Sequence, residues 1–133
     1  MRRVLVLMYH IVAEPRSSGE ARYCCAPARF EAQMRHLRDR EIELVSLDAI
    51  GAAIEGHAPW PEDGVAVTFD DGFADTFANA LPVLERYRIP ATMFAVSDRV
   101  GETNRWMSER GFPERRLMSA AELREMRDRK SVV

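Results

Sequence analysis

The sequence has few cysteines, few histidines and no metal-binding cysteine motif, and these shortages exclude several kinds of protein. Its 133 residues include two cysteines, Cys24 and Cys25, which are adjacent. Neighbouring cysteines rarely reach disulfide geometry, and this pair lacks the spacing of a Cys-x-x-Cys zinc motif. We therefore expect neither a disulfide framework nor a cysteine metal site.

Long apolar segments and excess charge are also missing. The apolar run Val4 to Met8 stops at Tyr9 and His10, short of the roughly 7–15 apolar residues of a signal peptide and the ~18 of a membrane span. On the sequence alone, this predicts a cytoplasmic chain with no membrane span. The formal net charge of -2 gives no electrostatic argument for binding nucleic acid.

Apolar runs that resemble strands alternate along the chain with helical patterns. The composition, 47% hydrophobic and 30% charged residues, suits a single domain over residues 1–133. The predicted strands are Val4 to Met8, Ile42 to Leu47, Val65 to Phe69 and Ala91 to Val96. Such alternation is typical of an α/β fold with a parallel sheet, either a small open sheet or half of a closed barrel. The unbroken apolar run Val4 to Met8 predicts a strand that is buried on both faces.

Three local signals define the intervening helices. Apolar residues recur at helical spacing after Pro27, at positions 30, 34 and 37. Pro82 predicts a kink or the first turn of a new helix. Ser119 and Glu122 form the S-x-x-E pattern of a capping box at the start of the last helix.

The chain ends in a charged helical segment, MRDRKSVV, with no strand after it. We interpret this ending as that of a fragment whose C-terminal part is missing. The residues Asp128 to Val133 also resemble a translated sequencing adapter. Half of a barrel would leave a sheet edge exposed, which favours aggregation.

Two acidic residues, Asp70 and Asp71, directly follow the predicted strand Val65 to Phe69. Functional sites of parallel α/β proteins lie at this end of the strands. Adjacent ionised carboxylates repel each other, and a bound divalent cation would remove that cost. Gly72 allows the chain to turn sharply afterwards. However, Asp-Gly after a strand is also common turn chemistry, so the three residues alone leave both interpretations open.

The surroundings of the acid pair resemble a known family. The segment TFDDG, Thr68 to Gly72, is similar to the first motif of the polysaccharide deacetylases, also called the NodB homology domain or carbohydrate esterase family four. The resemblance runs from Val4 to about Arg127. It includes the segments VLMYHIV, FEAQMRHLRDREIELVSLDAI, ALPVLERYRIPATMFAV and LMSAAELREM.

This resemblance implies the N-terminal part of a distorted (β/α) barrel that removes acetyl groups from an acetylated polysaccharide or oligosaccharide. It implies that Asp70 is the general base and that Asp71 binds a divalent metal, commonly zinc. The family's H-[ST]-x-x-H segment, which supplies two further ligands, is absent, as are the later motifs that include the general-acid histidine. Because a catalytic zinc site needs about three protein ligands, we expect the fragment to bind metal weakly and to be inactive.

The remaining candidates are histidines and tryptophans. His10 resembles the histidine of the family's N-terminal Tyr-His motif, so it either lines the site or only closes a strand. His36 and His57 are expected to be solvent-exposed. Trp60 and Trp106 are predicted in loops, where they contact sugar or cap the core.

A second hypothesis is a non-catalytic carbohydrate-binding or structural relative with the same fold. The acid pair argues against it, because a binding module does not require two adjacent carboxylates.

Overall fold

The structure, a computed structural model, describes residues 3–129. These residues form four parallel strands and five α-helices. The strands are β1 (Val4–Tyr9), β2 (Glu43–Leu44), β3 (Gly64–Asp71) and β4 (Ala91–Ala95). The helices are α1 (Pro27–Asp39), α2 (Leu47–Ile54), α3 (Leu81–Tyr87), α4 (Arg105–Ser108) and α5 (Ala120–Asp128). Residues 130–133, most of the adapter-like ending, lie outside the described residues.

Strand β3 is the centre of the sheet. It pairs in parallel with β1 along one side, and with β2 and then β4 along the other. The registers Tyr9↔Phe69 and Asp71↔Ala95 bring the C-terminal ends of β1, β3 and β4 to one edge. The predicted α/β fold with a parallel sheet is confirmed.

The main core lies between one face of the sheet and the helices α1, α3 and α5. Every second side chain of β3 points into this core, as expected from the period of two in a strand. The buried apolar residues that β3 and the three helices contribute to the core are Phe30, Met34, Leu37, Val65, Val67, Phe69, Leu81, Leu84 and Met126. The predicted helical spacing at positions 30, 34 and 37 is therefore confirmed.

Strand β1 departs from the sequence prediction, which had it buried on both faces. The relative exposures of Leu5, Val6 and Met8 are 62%, 55% and 61%. Among the described residues β1 has a partner strand on one side only, and its Val6 and Met8 side chains stay exposed on the face opposite the helices. The prediction was wrong because an apolar run shows that a segment is hydrophobic but does not show which faces of the strand other elements pack against.

Strand β2 is shorter than predicted. It covers Glu43–Leu44 instead of Ile42 to Leu47, because Ser46 accepts a hydrogen bond from the amide of Ala49 and starts α2. In this segment the hydrogen bond of the helix cap outweighs the strand propensity of the residues.

The other local predictions have clear outcomes. A π-helical turn, Thr76–Ala80, precedes α3, and Pro82 lies in the first turn of that helix. The capping box of Ser119 and Glu122 is present at the start of α5. Trp106 belongs to the short helix α4, not to a loop. No helix among residues 3–129 is both long and apolar enough to cross a membrane.

Candidate functional site

Asp70 and Asp71 are the last two residues of β3, opposite Phe94 and Ala95 of β4. The chain turns immediately afterwards, because Asp71 and Gly72 both have a φ of 76°. A positive φ is uncommon outside glycine, although Asp tolerates it better than most residues. The turn is fixed by the amide of Met118, which donates to the carbonyl of Gly72 at 2.8 Å. The acid pair therefore has a well-defined backbone position at the functional edge of the sheet.

His10 lies beside this pair. It follows β1 directly, and the pairing of Tyr9 with Phe69 brings it level with Asp70. Its Nε2 is 3.7 Å from Oδ2 of Asp70. The imidazole ring also packs edge-on against Tyr23, with the ring centroids 5.7 Å apart. The structure thus brings together the three residues that the sequence analysis singled out as site residues.

The surroundings of Asp71 disfavour its charged form. Burial raises the pKa of Asp71; His10 acts in the opposite direction, and the negative charge of Asp70 adds to the increase. A carboxylate that is both desolvated and next to a second carboxylate is stabilised in its charged form by a nearby cation. The acid pair is therefore a suitable place for positive charge.

The described residues do not by themselves complete a metal site. A catalytic zinc ion usually has three protein ligands. Within residues 3–129, however, no group of three or more His, Cys, Asp or Glu side chains is arranged to hold a metal. Asp71 fits the role of one ligand, and its pKa shift is of the kind that a cation would offset, but the donor set is incomplete.

A pocket of about 360 Å³ opens next to the acid pair. Its walls combine aromatic rings, two arginines and the site residues. The lining residues are His10, Arg22, Tyr23, Asp71, Phe73, Trp106, Met107, Arg110 and Phe112. Its size and its mixture of apolar walls with a few polar groups are typical of a small-ligand site. Trp106 was a candidate in the sequence, but the two arginines were not, because they lie outside any recognisable spacing.

The segment after His10 is held against the helix that follows the acid pair. Oδ1 of Asp75 accepts a hydrogen bond from the amide of Val12 at 2.9 Å, and Nδ2 of Asn79 donates to the carbonyl of Val12 at 2.8 Å. Both backbone polar groups of Val12 are thereby paired. Because Asp75 and Asn79 are four residues apart, their side chains lie on the same helix face. This spacing was a detectable signal that the sequence analysis missed.

A buried ion pair lies beneath the same loops. Nε of Arg115 is 2.7 Å from Oε2 of Glu20, and its Nη2 is 2.8 Å from Oε1. Arg115 is 6% exposed and Glu20 is fully buried. Arg115 also lies 3.7 Å from Oδ2 of Asp75 and donates to the carbonyl of Glu14. One side chain thus connects the loop after β1, the segment after β3 and the loop before α5.

The other sequence candidates lie away from the site. His36, His57 and Trp60 are exposed, as expected for the two histidines. Cys24 and Cys25 are free thiols. Burial raises the pKa of the Cys24 thiol to about 11, so it is protonated and unreactive near neutral pH.

A comparison with known protein families identifies the chain. The sequence model of the polysaccharide deacetylases matches residues 57–132, more than half of the chain. The chain belongs to the polysaccharide deacetylase family. This match includes both Asp70 and Asp71, and it confirms the resemblance found in the sequence.

Individual polysaccharide deacetylases resemble the chain over most of its length. It is 30% identical over 104 residues to the poly-beta-1,6-N-acetyl-D-glucosamine N-deacetylase of Staphylococcus aureus, a match that covers 78% of the chain and 33% of that protein. The structure of IcaB from Ammonifex degensii matches with a TM-score of 0.80 and 28% identity. A polysaccharide deacetylase from Bacillus cereus matches with a TM-score of 0.70 and 29% identity, and covers 98% of the chain and 37% of that structure.

The matched length differs greatly between the chain and these relatives. The IcaB structure covers 98% of the chain, whereas the chain covers 50% of it. The chain therefore spans about a third of the curated relatives that it matches and about half of the IcaB structure. Its four parallel strands correspond to the N-terminal part of a (β/α) barrel, as predicted.

Proposed function

We propose that this chain provides the acid pair of a hydrolase that removes acetyl groups from a carbohydrate polymer. The observation that carries the proposal is the position of Asp70 and Asp71, at the C-terminal end of the central parallel strand and beside a pocket. Membership of the polysaccharide deacetylase family supports this reaction class. The S. aureus relative is by name an N-deacetylase, which favours an amide over an ester as the scissile bond.

In the proposed mechanism Asp70 is the general base. Its side chain is 30% exposed, so a water molecule and the acetyl carbonyl of the substrate can approach it. As the water attacks the carbonyl carbon, Asp70 accepts the proton of the water. The bond between the carbonyl carbon and the sugar nitrogen then breaks, giving acetate and an amine.

The departing nitrogen needs a proton, and the family resemblance assigns its delivery to a histidine of a later motif that residues 1–133 lack. We propose that His10 lines the site next to the base. It is 3.7 Å from Asp70, and its side chain is 23% exposed. A histidine at that position can exchange protons both with the carboxylate and with a substrate in the pocket.

We also propose that the complete site depends on a divalent metal, which is zinc by analogy with the family, and that Asp71 is one of its ligands. Because the described residues hold no group of three candidate ligands, the others have to come from outside residues 3–129. A protein consisting of residues 1–133 alone is expected to bind metal weakly and to be essentially inactive.

The decisive test begins with the gene. Sequencing past the codon for Arg127 shows whether the reading frame continues into a segment of the form H-[ST]-x-x-H. If it does, the longer chain should deacetylate an N-acetylated oligosaccharide, and Asp70→Asn should lower its kcat by about 10²–10⁴-fold. An unchanged kcat would remove Asp70 from the mechanism.

The metal role can be tested on residues 1–133 directly. A zinc titration followed by NMR should shift the amide signals around Asp71, and Asp71→Asn should abolish those shifts. Asp98→Asn, which removes an exposed carboxylate from a different loop, is the matched control. Equal zinc responses in both variants would contradict the assignment.

The non-catalytic carbohydrate-binding alternative makes a different prediction. In a pure binding protein, Asp70→Asn leaves the longer chain's affinity for sugar unchanged, and no deacetylated product forms with either version. Product formation by the unmodified chain alone would exclude this alternative.

A further inference from the structure

The pocket beside Asp71 contains two arginines that the proposed reaction does not use. Arg22 and Arg110 both line it. Neither side chain forms a hydrogen bond or ion pair with another described residue, so the N–H donors of both are available to a ligand in the pocket. A guanidinium group offers up to five donors in a planar fork that matches the geometry of a carboxylate.

The position of Arg22 is restricted by a neighbour. Its guanidinium carbon lies 5.5 Å from the centre of the Tyr23 ring, within the range of a cation–π contact. Such a contact holds the group over the ring face but leaves its N–H edges free. Arg22 is thus presented to the pocket as a positioned donor, not only as a flexible surface charge.

The remaining walls suit a sugar ring. Tyr23, Trp106 and Phe112 supply aromatic surface on the same pocket, and Tyr23 packs edge-on against Phe112 with centroids 6.1 Å apart. Aromatic rings provide rigid apolar surface for the C–H face of a sugar, while polar groups bind its substituents. The two arginines would favour a negatively charged sugar over an uncharged one.

We propose that this pocket binds an acetylated glycan that carries carboxylate groups, with Arg22 and Arg110 as the residues that recognise the carboxylate. Asp71 repels such a group, so the carboxylate has to lie toward the arginines and the acetylated sugar toward the acid pair. The identity of the glycan as a substrate rests on the proposed function, but its binding does not.

The test uses residues 1–133 and two matched oligosaccharides. The acidic probe is a hyaluronan tetrasaccharide, in which N-acetylglucosamine alternates with glucuronic acid, and the neutral probe is its carboxyl-reduced counterpart. Calorimetry or NMR titration should give about ten-fold tighter binding of the acidic probe, as expected for charge-assisted hydrogen bonds. The difference should decrease as salt is added, because both arginines are exposed.

Three variants locate the effect. Arg22→Gln and Arg110→Gln should each remove most of the preference for the acidic probe. Arg35→Gln, which changes an exposed arginine of α1 outside the pocket, should preserve it. Equal affinity for both probes, no binding of either probe by the folded chain, or an equal loss in Arg35→Gln would each overturn the proposal.

Failure of this proposal differs from failure of the proposed function. Deacetylation by the longer chain without any preference for acidic glycans would disprove the pocket specificity alone. A preference for acidic probes in a longer chain that forms no product would disprove the deacetylase proposal and leave the pocket specificity standing.

Discussion

At the scale of single residues, Arg115 determines how the loops around the site fit together. Its guanidinium contacts Glu20 and Asp75 and the carbonyl of Glu14. Buried charges are tolerated only when they are paired and hydrogen-bonded. The charge of Arg115 therefore holds together the loops that contain His10 and line the pocket.

Replacing Arg115 by Met should lower the free energy of unfolding by about 3–5 kcal/mol, because it leaves the buried carboxylate of Glu20 without its partner. Urea unfolding followed by circular dichroism measures the change. The neighbouring Arg116→Met is the control, since Arg116 is 58% exposed where it pairs with Glu122 and such surface pairs contribute under about 1 kcal/mol. Similar losses in both variants would mean that Arg115 is not an anchor.

The same ion pair predicts how stability depends on pH. The hydrogen bonds from Arg115 lower the pKa of Glu20 below its ordinary value of 4.5. A carboxyl group with a lowered pKa in the folded state stabilises the fold above its ordinary pKa, and this contribution is lost as the pH falls through the lowered value. The difference in unfolding free energy between the unmodified chain and Glu20→Gln should therefore be largest near neutral pH and shrink below about pH 4.

Unfolding measured from pH 7 to pH 2.5 tests this dependence. Glu62→Gln is the control, because Glu62 is exposed and forms no ion pair with a described residue. Its curve should follow that of the unmodified chain. A Glu20→Gln difference that stays constant over the whole range would show that the carboxylate is not stabilised in its charged form.

At the scale of helices and strands, local patterns could be predicted and long-range contacts could not. The core spacing in α1 and the cap of α5 follow from periodicity and side-chain hydrogen bonding within a few residues. The Arg115–Glu20 pair joins residues 95 positions apart. No local pattern encodes it, because it exists only once the two loops have folded against each other.

The candidate site shows the same division. Asp70 and Asp71 could be placed because they end a recognisable strand, and His10 because it ends another. Arg22 and Arg110 could not, since each lies in a short turn or loop whose direction depends on tertiary contacts.

The capping box of α5 gives a prediction at this scale. The hydroxyl of Ser119 accepts a hydrogen bond from the amide of Glu122, whose carboxylate accepts one from the amide of Ser119. Ser119→Ala should lower the free energy of unfolding by about 0.5–2 kcal/mol. Ser97→Ala is a suitable control, because Ser97 is exposed and begins a 3-10 turn without a side-chain cap. An equal effect of both changes in urea unfolding would assign no role to the cap.

At the scale of the whole molecule, the two faces of the sheet are covered unequally. One face packs on the helices of the main core. Strand alternation puts Val6, Met8 and Phe94 on the opposite face, the same face as Asp70. These three side chains are 55%, 61% and 52% exposed. The chain covers 50% of the IcaB structure. A protein of the length of that structure would have further residues that could pack on this face.

A protein consisting of residues 1–133 alone should therefore associate through the open face. Contiguous apolar surface and an unpaired strand edge both favour association in water. The double change Met8→Ser and Phe94→Ser should shift the protein toward the monomer, measured as molar mass by light scattering over a range of concentrations. Ile54→Ser is the matched control, because Ile54 is 69% exposed but lies on α2 and not on the sheet. If the unmodified protein is monomeric at every concentration, the open face does not drive association and the prediction is wrong. If Ile54→Ser has the same effect as the double change, association depends on general surface hydrophobicity and not on this face.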